Sequence, residues 1–174
     1  VKDGSVLTFP PGPDPVGQAV KYITGGPAHV AIFIGGLFFD DTVWHQPGKL
    51  LPVSGVRESL QADIAGWGEY TIQEPVAPWS DAEIQAALEV AITQVNLRRH
   101  YNIFLLLVDA ILYPTRWFWD RIGWVPFGSW YLGGVCSSFA GLVVRATGRD
   151  PWPGIKTQEL VPLDFELNRE WRIV

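Results

Sequence analysis

The sequence predicts an α+β fold, a small antiparallel sheet packed against helices. Three observations carry this. The β-like runs cluster in the first 75 residues. Two helical patterns follow, each with a recognisable end signal. A short strand-like run then closes the chain. Strands first, helices after, with strand returning at the end, is the order of an α+β domain. At 174 residues the chain is the size of a single domain, 1–174.

"SVLTF", residues 5–9, is β-like and stops at "PPGPDP". Residues 16–24 read as a short helix, which "TGGPA" ends. "HVAIFIG", residues 29–35, is rich in Val, Ile and Phe and reads as a buried strand. Gly35-Gly36 fits a two-residue hairpin turn, from which "LFFDDTVWHQ" returns as the next strand. "EYTIQEP", residues 69–75, is another strand candidate.

Ser80 followed by Glu83 is a capping box. Beyond it Ile84, Ala87, Leu88, Ala91, Ile92 and Val95 fall at helical spacing, predicting an amphipathic helix of about four turns. The apolar run Ile103–Leu112 reads as a second, buried helix. It is shorter than the roughly 18–20 residues that a bilayer span needs. Residues 113–131 carry four of the nine tryptophans (Trp117, Trp119, Trp124 and Trp130) among Gly123, Pro126 and Gly128, and read as an irregular aromatic loop. A helix begins at Cys136 and ends at Gly148, a residue suited to a C-cap. "RDPWPG" is a turn, and "EWRIV" closes the chain as a strand.

Composition narrows the function. Hydrophobic residues make up 48% of the chain, which supports a packed core rather than disorder. The net charge of −5 argues against a nucleic-acid partner, which a basic face would mark. One cysteine and three histidines, without C-x-x-C or H-x-x-x-H spacing, argue against a zinc site, and no cofactor is expected. Gly12 and Gly17 have P-loop spacing, but Gln18-Ala19 stands where Lys-Ser/Thr is needed.

The chemistry-bearing candidate is Cys136, in "GGVCSSFAGLVVRATG", residues 133–148. Thiol nucleophiles act as thiolates, which a helix N-terminus and a neighbouring imidazole both favour. The glycines before Cys136 allow close backbone approach, and the first helical turn offers free amides to an oxyanion. A small buried core thiol is the plainer reading of the same residues. His29 opens a buried-looking strand after a Gly-Pro break and is the natural base. His100, beside Arg98 and Arg99, reads as a helix-end cation.

A third group should orient the imidazole. With a two-residue turn at Gly35-Gly36, residue 29 faces residue 42, and Asp40, Thr42 and Trp44 share the face of His29. With a three-residue loop, residue 45 faces residue 29, and His45 becomes the partner. His45, Asp40 and Asp41 all remain candidates. Asp40 and Asp41 also fit solvated turn or edge positions.

Together these phrases resemble the permuted NlpC-type, papain-like cysteine hydrolases. "DGSVLTF" followed by "GGPAHVAIFIGG" is similar to that family's opening, although "DGS" stands where the family has "GD". "HYNIF", residues 100–104, resembles its "pYd" phrase, Cys136-Ser137-Ser138-Phe139 its "CS.fv" phrase, and "KTQEL", residues 156–160, its "tP.dL" phrase. The order, histidine first and cysteine last, is opposite to that of ordinary papain-like enzymes. The resemblance implies a circularly permuted papain-like fold with Cys136 as nucleophile and His29 as base. In the related lecithin retinol acyltransferase-like branch the third residue is a second histidine on the next strand, here His45. Other branches use an acid or an amide.

The expected activity is that of a cysteine peptidase or amidase acting through an acyl-enzyme on a peptide or peptidoglycan-type amide. Tyr101, Trp117 and Trp119 are the expected substrate contacts. A lipid-directed thioesterase, phospholipase or acyltransferase of the same fold is the alternative, because aromatic bands suit acyl chains and peripheral membrane contact. Core filling is the ordinary use of tryptophan. A non-catalytic binding module that keeps the fold is a further alternative.

Overall fold

A computed structural model of the chain describes residues 1–12, 18, 21–22, 25–44, 53–59, 64, 68–97, 100–101, 133–134, 136–155, 157, 160 and 162–174. These form an α+β arrangement around one antiparallel sheet. The strands are β1 (Val6–Phe9), β2 (His29–Ile34), β3 (Leu37–Trp44), β4 (Val53–Ser59), β5 (Thr71–Pro75) and β8 (Trp171–Ile173), in the spatial order β4-β3-β2-β1-β5-β8. A two-stranded parallel pair, β6 (His100–Tyr101) and β7 (Gly133–Gly134), lies apart from it in hydrogen bonding. The helices are α1 (Asp81–Leu97), α2 (Cys136–Ala146) and α3 (Pro162–Glu166).

The hairpin between β2 and β3 sets the register. Ile34 pairs with Leu37, Phe33 with Phe38 and Ile32 with Phe39. Only Gly35 and Gly36 lie between the strands, with φ of 59° and 86°. Two successive positive φ angles are what a type I′ turn requires, and its twist matches that of the strands. Asp3 reinforces the turn, its carboxylate accepting the Gly35 amide. The "DGS" phrase therefore has a structural part here: Asp3 holds the hairpin, and the Gly4 amide donates to the Phe33 carbonyl at 2.9 Å.

The strand alternation sends two apolar sets to opposite sides of the sheet. On one side Val6, Val30, Ile32, Ile34 and Phe39 pack with Ala87 and Ala91 of α1 and with Cys136, Phe139, Ala140, Val143 and Val144 of α2. On the other, Leu7, Phe9, Ala31 and Phe38 pack with Ile64. With both sides covered, all four residues of β1 are buried.

The capping box forms as its residues dictate. The Glu83 carboxylate accepts the Ser80 amide at 2.7 Å, and the Glu83 amide points back to the Ser80 hydroxyl at 3.4 Å. Arg149, just beyond α2, grips the same carboxylate with Nε at 2.6 Å. The start of α1 is thereby tied to the end of α2. Gly148 closes α2 in the left-handed region, φ 85°.

Three observations depart from the sequence reading or go beyond it. β4 was not expected, because "VSGVRES" lacks a clean apolar alternation. It is held as the edge partner of β3 along seven paired positions from Phe38↔Ser59 to Trp44↔Val53. His100 lies on β6, paired with Gly133, and not on a helix end, since α1 stops at Leu97. Residues 103–112 and the aromatic segment 113–131 lie outside the described residues, as does most of 16–24, of which residues 18, 21 and 22 are helical. Among the described residues no helix is long and apolar enough to cross a membrane.

Candidate active site

Cys136 is the first residue of α2 and is fully buried. Several contacts fix that helix start. The Ser137 hydroxyl donates to the Leu160 carbonyl. Gly141, one turn on, has no side chain where Leu160 presses against the helix, and a Cβ there would overlap the Leu160 Cδ1. The phrase "KTQEL" thus ends on a residue that anchors the helix of Cys136. At the other end Arg145 spans Asp150, Thr157 and the carbonyls of Trp152 and Ile155. Apolar residues on α2 then hold it against β2 and β3.

His29 is the first residue of β2 and pairs with Phe9 of β1. The two rings lie 5.5 Å apart between centroids, and Phe9 in turn lies 5.7 Å from Tyr70. The His29 side chain keeps 22% of its surface exposed, so it connects buried Cys136 to solvent. Its Nε2 lies 3.1 Å from Oδ2 of Asp40. Asp40 is completely buried and receives Arg57 of β4, with Nε at 2.9 Å from Oδ1 and Nη2 at 3.4 Å from Oδ2. Asp40 and Arg57 are directly paired across β3 and β4, which is why the guanidinium reaches the carboxylate.

With Nε2 engaged by Asp40, Nδ1 is the nitrogen left for the hydrogen bond with Cys136. Burial alone would press the His29 ring below its ordinary 6.5. The negative charge of the Cys136 sulfur and the hydrogen bonds to Asp40 and Cys136 outweigh burial and push the ring up to about 10. An imidazole bonded on one side to a cysteine sulfur and on the other to a buried carboxylate has the geometry to draw the thiol proton.

Asp41 is buried on the other side of β3 from Asp40, the side that Phe39 shares with α2. It makes no hydrogen bond to His29, and its Oδ1 has no hydrogen-bond partner among the described residues. Burial pushes its carboxyl up to about 7. The Asp40 charge adds to that rise, and His29 opposes it.

Of the expected site residues, the structure brings together Cys136 and His29, and of the three candidates for the orienting group it places Asp40 against His29. The hairpin adopts the two-residue turn, so the register that would set residue 45 opposite residue 29 is not the one formed. His45, Trp117 and Trp119 lie outside the described residues. Tyr101 pairs with Gly134, two residues before Cys136, so its backbone runs beside the segment leading into Cys136. Arg57 escaped the sequence reading. Its signal would have been a basic residue on a strand paired with the acid of β3, which required β4 to be recognised first.

Among the described residues no group of three or more His, Cys, Asp or Glu side chains could hold a metal ion. A cleft of about 450 Å³ opens beyond Phe9, lined by Thr8, Gly25, Gly26, Glu69, Tyr70 and Glu166 among others. Among known proteins, no family model matches the chain, and no curated protein is significantly similar to it.

Proposed function

We propose that the protein is a cysteine hydrolase of the permuted papain-like type, cleaving an amide or ester through an acyl-enzyme. The observation that carries this reading is the row Cys136–His29–Asp40, with the thiol at a helix start and the imidazole bonded on both sides.

In the first half-reaction the Cys136 thiolate attacks the substrate carbonyl carbon, and the C=O electron pair moves to the oxygen. Free amides at the start of α2 stabilise that oxyanion. Collapse expels the amine or alcohol, which takes its proton from the His29 imidazolium. Neutral His29 then draws a proton from water, and the hydroxide attacks the thioester carbonyl. The acid product leaves, and the thiolate–imidazolium pair is restored. Asp40 keeps Nε2 engaged throughout, and Arg57 holds Asp40.

The complete burial of Cys136 favours a second reading, a binding module that retains the fold with a quiet thiol. Iodoacetamide labelling read by mass spectrometry separates the two, with Cys136→Ala as the blank. The enzyme reading expects labelling of Cys136 in the folded protein at neutral pH, and a single acyl adduct on Cys136 after incubation with an activated ester. A thiol that stays unlabelled until the protein is unfolded would overturn it.

A further inference from the structure

Asp41 is a buried acid coupled to Asp40 and His29 to which the mechanism above assigns no part. It is 3% exposed, and its Oδ1 has no hydrogen-bond partner among the described residues. A buried carboxylate without partners is costly, whereas a buried carboxylic acid is far less so. Its neighbour Asp40 is bonded by both His29 and Arg57. Two adjacent residues of one strand therefore have opposite surroundings, one carboxyl bonded by two cationic side chains and the other with an oxygen, Oδ1, that has no partner among the described residues.

We propose that Asp41 is a positioning residue of the Cys136–His29 pair, acting through its protonation state. The inference rests on the cysteine-hydrolase reading. With Asp41 neutral, the site holds two positive groups, His29 and Arg57, against two negative ones, Asp40 and Cys136. Loss of the Asp41 proton adds a third negative charge that nothing in the cluster balances. That charge sits one residue along β3 from the Asp40 that bonds the ring, and the imidazolium, which is electrostatically coupled to it, then holds its proton more tightly. Delivery of that proton to the leaving group becomes harder, so ionisation of Asp41 slows turnover.

The surrounding groups support this reading. On its own strand Asp41 feels Asp40, and across β2 it feels His29. Its direct pair on β4 is Val56, an apolar residue, with Arg57 next to it engaged by Asp40. Cys136 belongs to α2, which packs on the same side of the sheet. β6, which carries His100 and Tyr101, runs beside β3 and β4. Burial and the Asp40 charge keep the Asp41 proton on up to about pH 7, so the switch falls in the neutral range.

The test follows the His29 ring by ¹H–¹³C NMR against pH, in wild type and in Asp41→Asn. Asparagine preserves the shape and removes the ionisation. In wild type the His29 resonance should show an inflection near pH 7 while the ring stays protonated. Asp41→Asn should lose that inflection and keep the later, full titration of the ring. Identical curves in the two proteins would overturn the proposal. Should Asp41→Asn fail to fold, wild type labelled with ¹³C at the aspartate carboxyls serves alone. One carboxyl should titrate together with the His29 inflection, and carboxyls that all titrate in the ordinary acid range would overturn the proposal. Iodoacetamide labelling of Cys136 is scored separately. An unreactive thiol with a normal His29 inflection counts against the hydrolase reading, whereas a reactive thiol without the inflection counts against Asp41 alone.

Discussion

Asp40 and His29 meet at 3.1 Å across a hairpin whose turn is only two residues long. The short turn decides the meeting. It gives β3 the register in which the side chain of residue 40 lies on the His29 side of the sheet. Adding one loop residue would send Asp40 to the opposite side. Arg57 then converts a contact into a fixture, because it bonds both oxygens of a carboxylate that has no access to water.

Replacing Asp40 should therefore act on both site and fold. In Asp40→Ala the Arg57 guanidinium loses a carboxylate partner, and the His29 ring loses one of the two groups that keep it charged. Stability should fall by about 1–3 kcal/mol, the usual cost of stranding a polar partner. Asp40→Asn, which keeps an acceptor, should lose less. In both variants the His29 ring should titrate below the wild-type value of about 10. Urea unfolding and NMR titration of the ring check the two effects. An unchanged ring titration in Asp40→Ala would remove Asp40 from the site.

His29 also makes stability depend on pH, in a calculable direction. Its ring binds a proton more tightly in the folded chain, up to about 10 against 6.5. The folded state therefore holds more protons between those values, and stability falls as pH rises through that window. The contribution is complete below about pH 6.5 and lost above about pH 10. Urea midpoints measured from pH 6 to pH 10 should decline more in wild type than in His29→Gln. His29→Gln should also lose activity on the order of 10²–10⁴-fold, the usual worth of a general acid–base group.

How much of this was legible in the sequence follows from the range of the interactions involved. Local signals were readable. Ser80 and Glu83 sit three apart and build their cap with each other, and Gly35-Gly36 announces a turn by composition alone. The proximity of Cys136 and His29 came through the order of motifs, not through any local pattern. The choice among Asp40, Asp41 and His45 hung on one loop residue, because strand side chains alternate sides at every step. Arg57 was invisible for a different reason. β4 is an edge strand that Gly55 interrupts and whose charged residues leave no apolar period, so it is defined by pairing with β3 and not by its own residues. Asp41 could be named as acidic but not as buried, since burial is a property of what α2 and β2 bring to it.

Glu83 should protect the fold against acid. The side-chain hydrogen bond from Arg149, then those from the Ser80 amide and hydroxyl, hold its carboxyl down to about 2 against the usual 4.5. The folded state thus binds fewer protons, and this contribution is present above pH 4.5 and lost as pH falls toward 2. Glu83→Gln should lower stability at pH 7 by about 0.5–2 kcal/mol, the usual range for a disrupted cap. The difference from wild type should shrink at pH 2–3. Thermal unfolding of both proteins at pH 7 and pH 3 measures it, and an equal gap at the two values would show that the Glu83 charge carries no part of the α1–α2 connection.

The hairpin glycines give the sharpest test of the register on which the site depends. Both Gly35 and Gly36 have positive φ, where a side chain costs about 1–2 kcal/mol. They differ in surroundings. A Cβ on Gly36 meets open space, whereas one on Gly35 would come within 2.8 Å of the Leu88 Cδ1 on α1. Gly36→Ala should therefore cost only the backbone strain, and Gly36→Asn less, because Asn tolerates the left-handed region. Gly35→Ala should cost more, since Leu88 must also give way. Inserting one glycine between residues 35 and 36 is the harsher experiment. Either β3 shifts, sending Asp40 away from His29 and Phe39 out of the core, or the loop bulges and the register survives. If the register carries the site, the insertion variant should lose the raised His29 titration whenever β3 shifts, and keep it when nuclear Overhauser contacts still pair Ile32 with Phe39. A variant with Ile32 still opposite Phe39 but a normal His29 titration would show that the pairing of these strands is not what holds Asp40 against the imidazole.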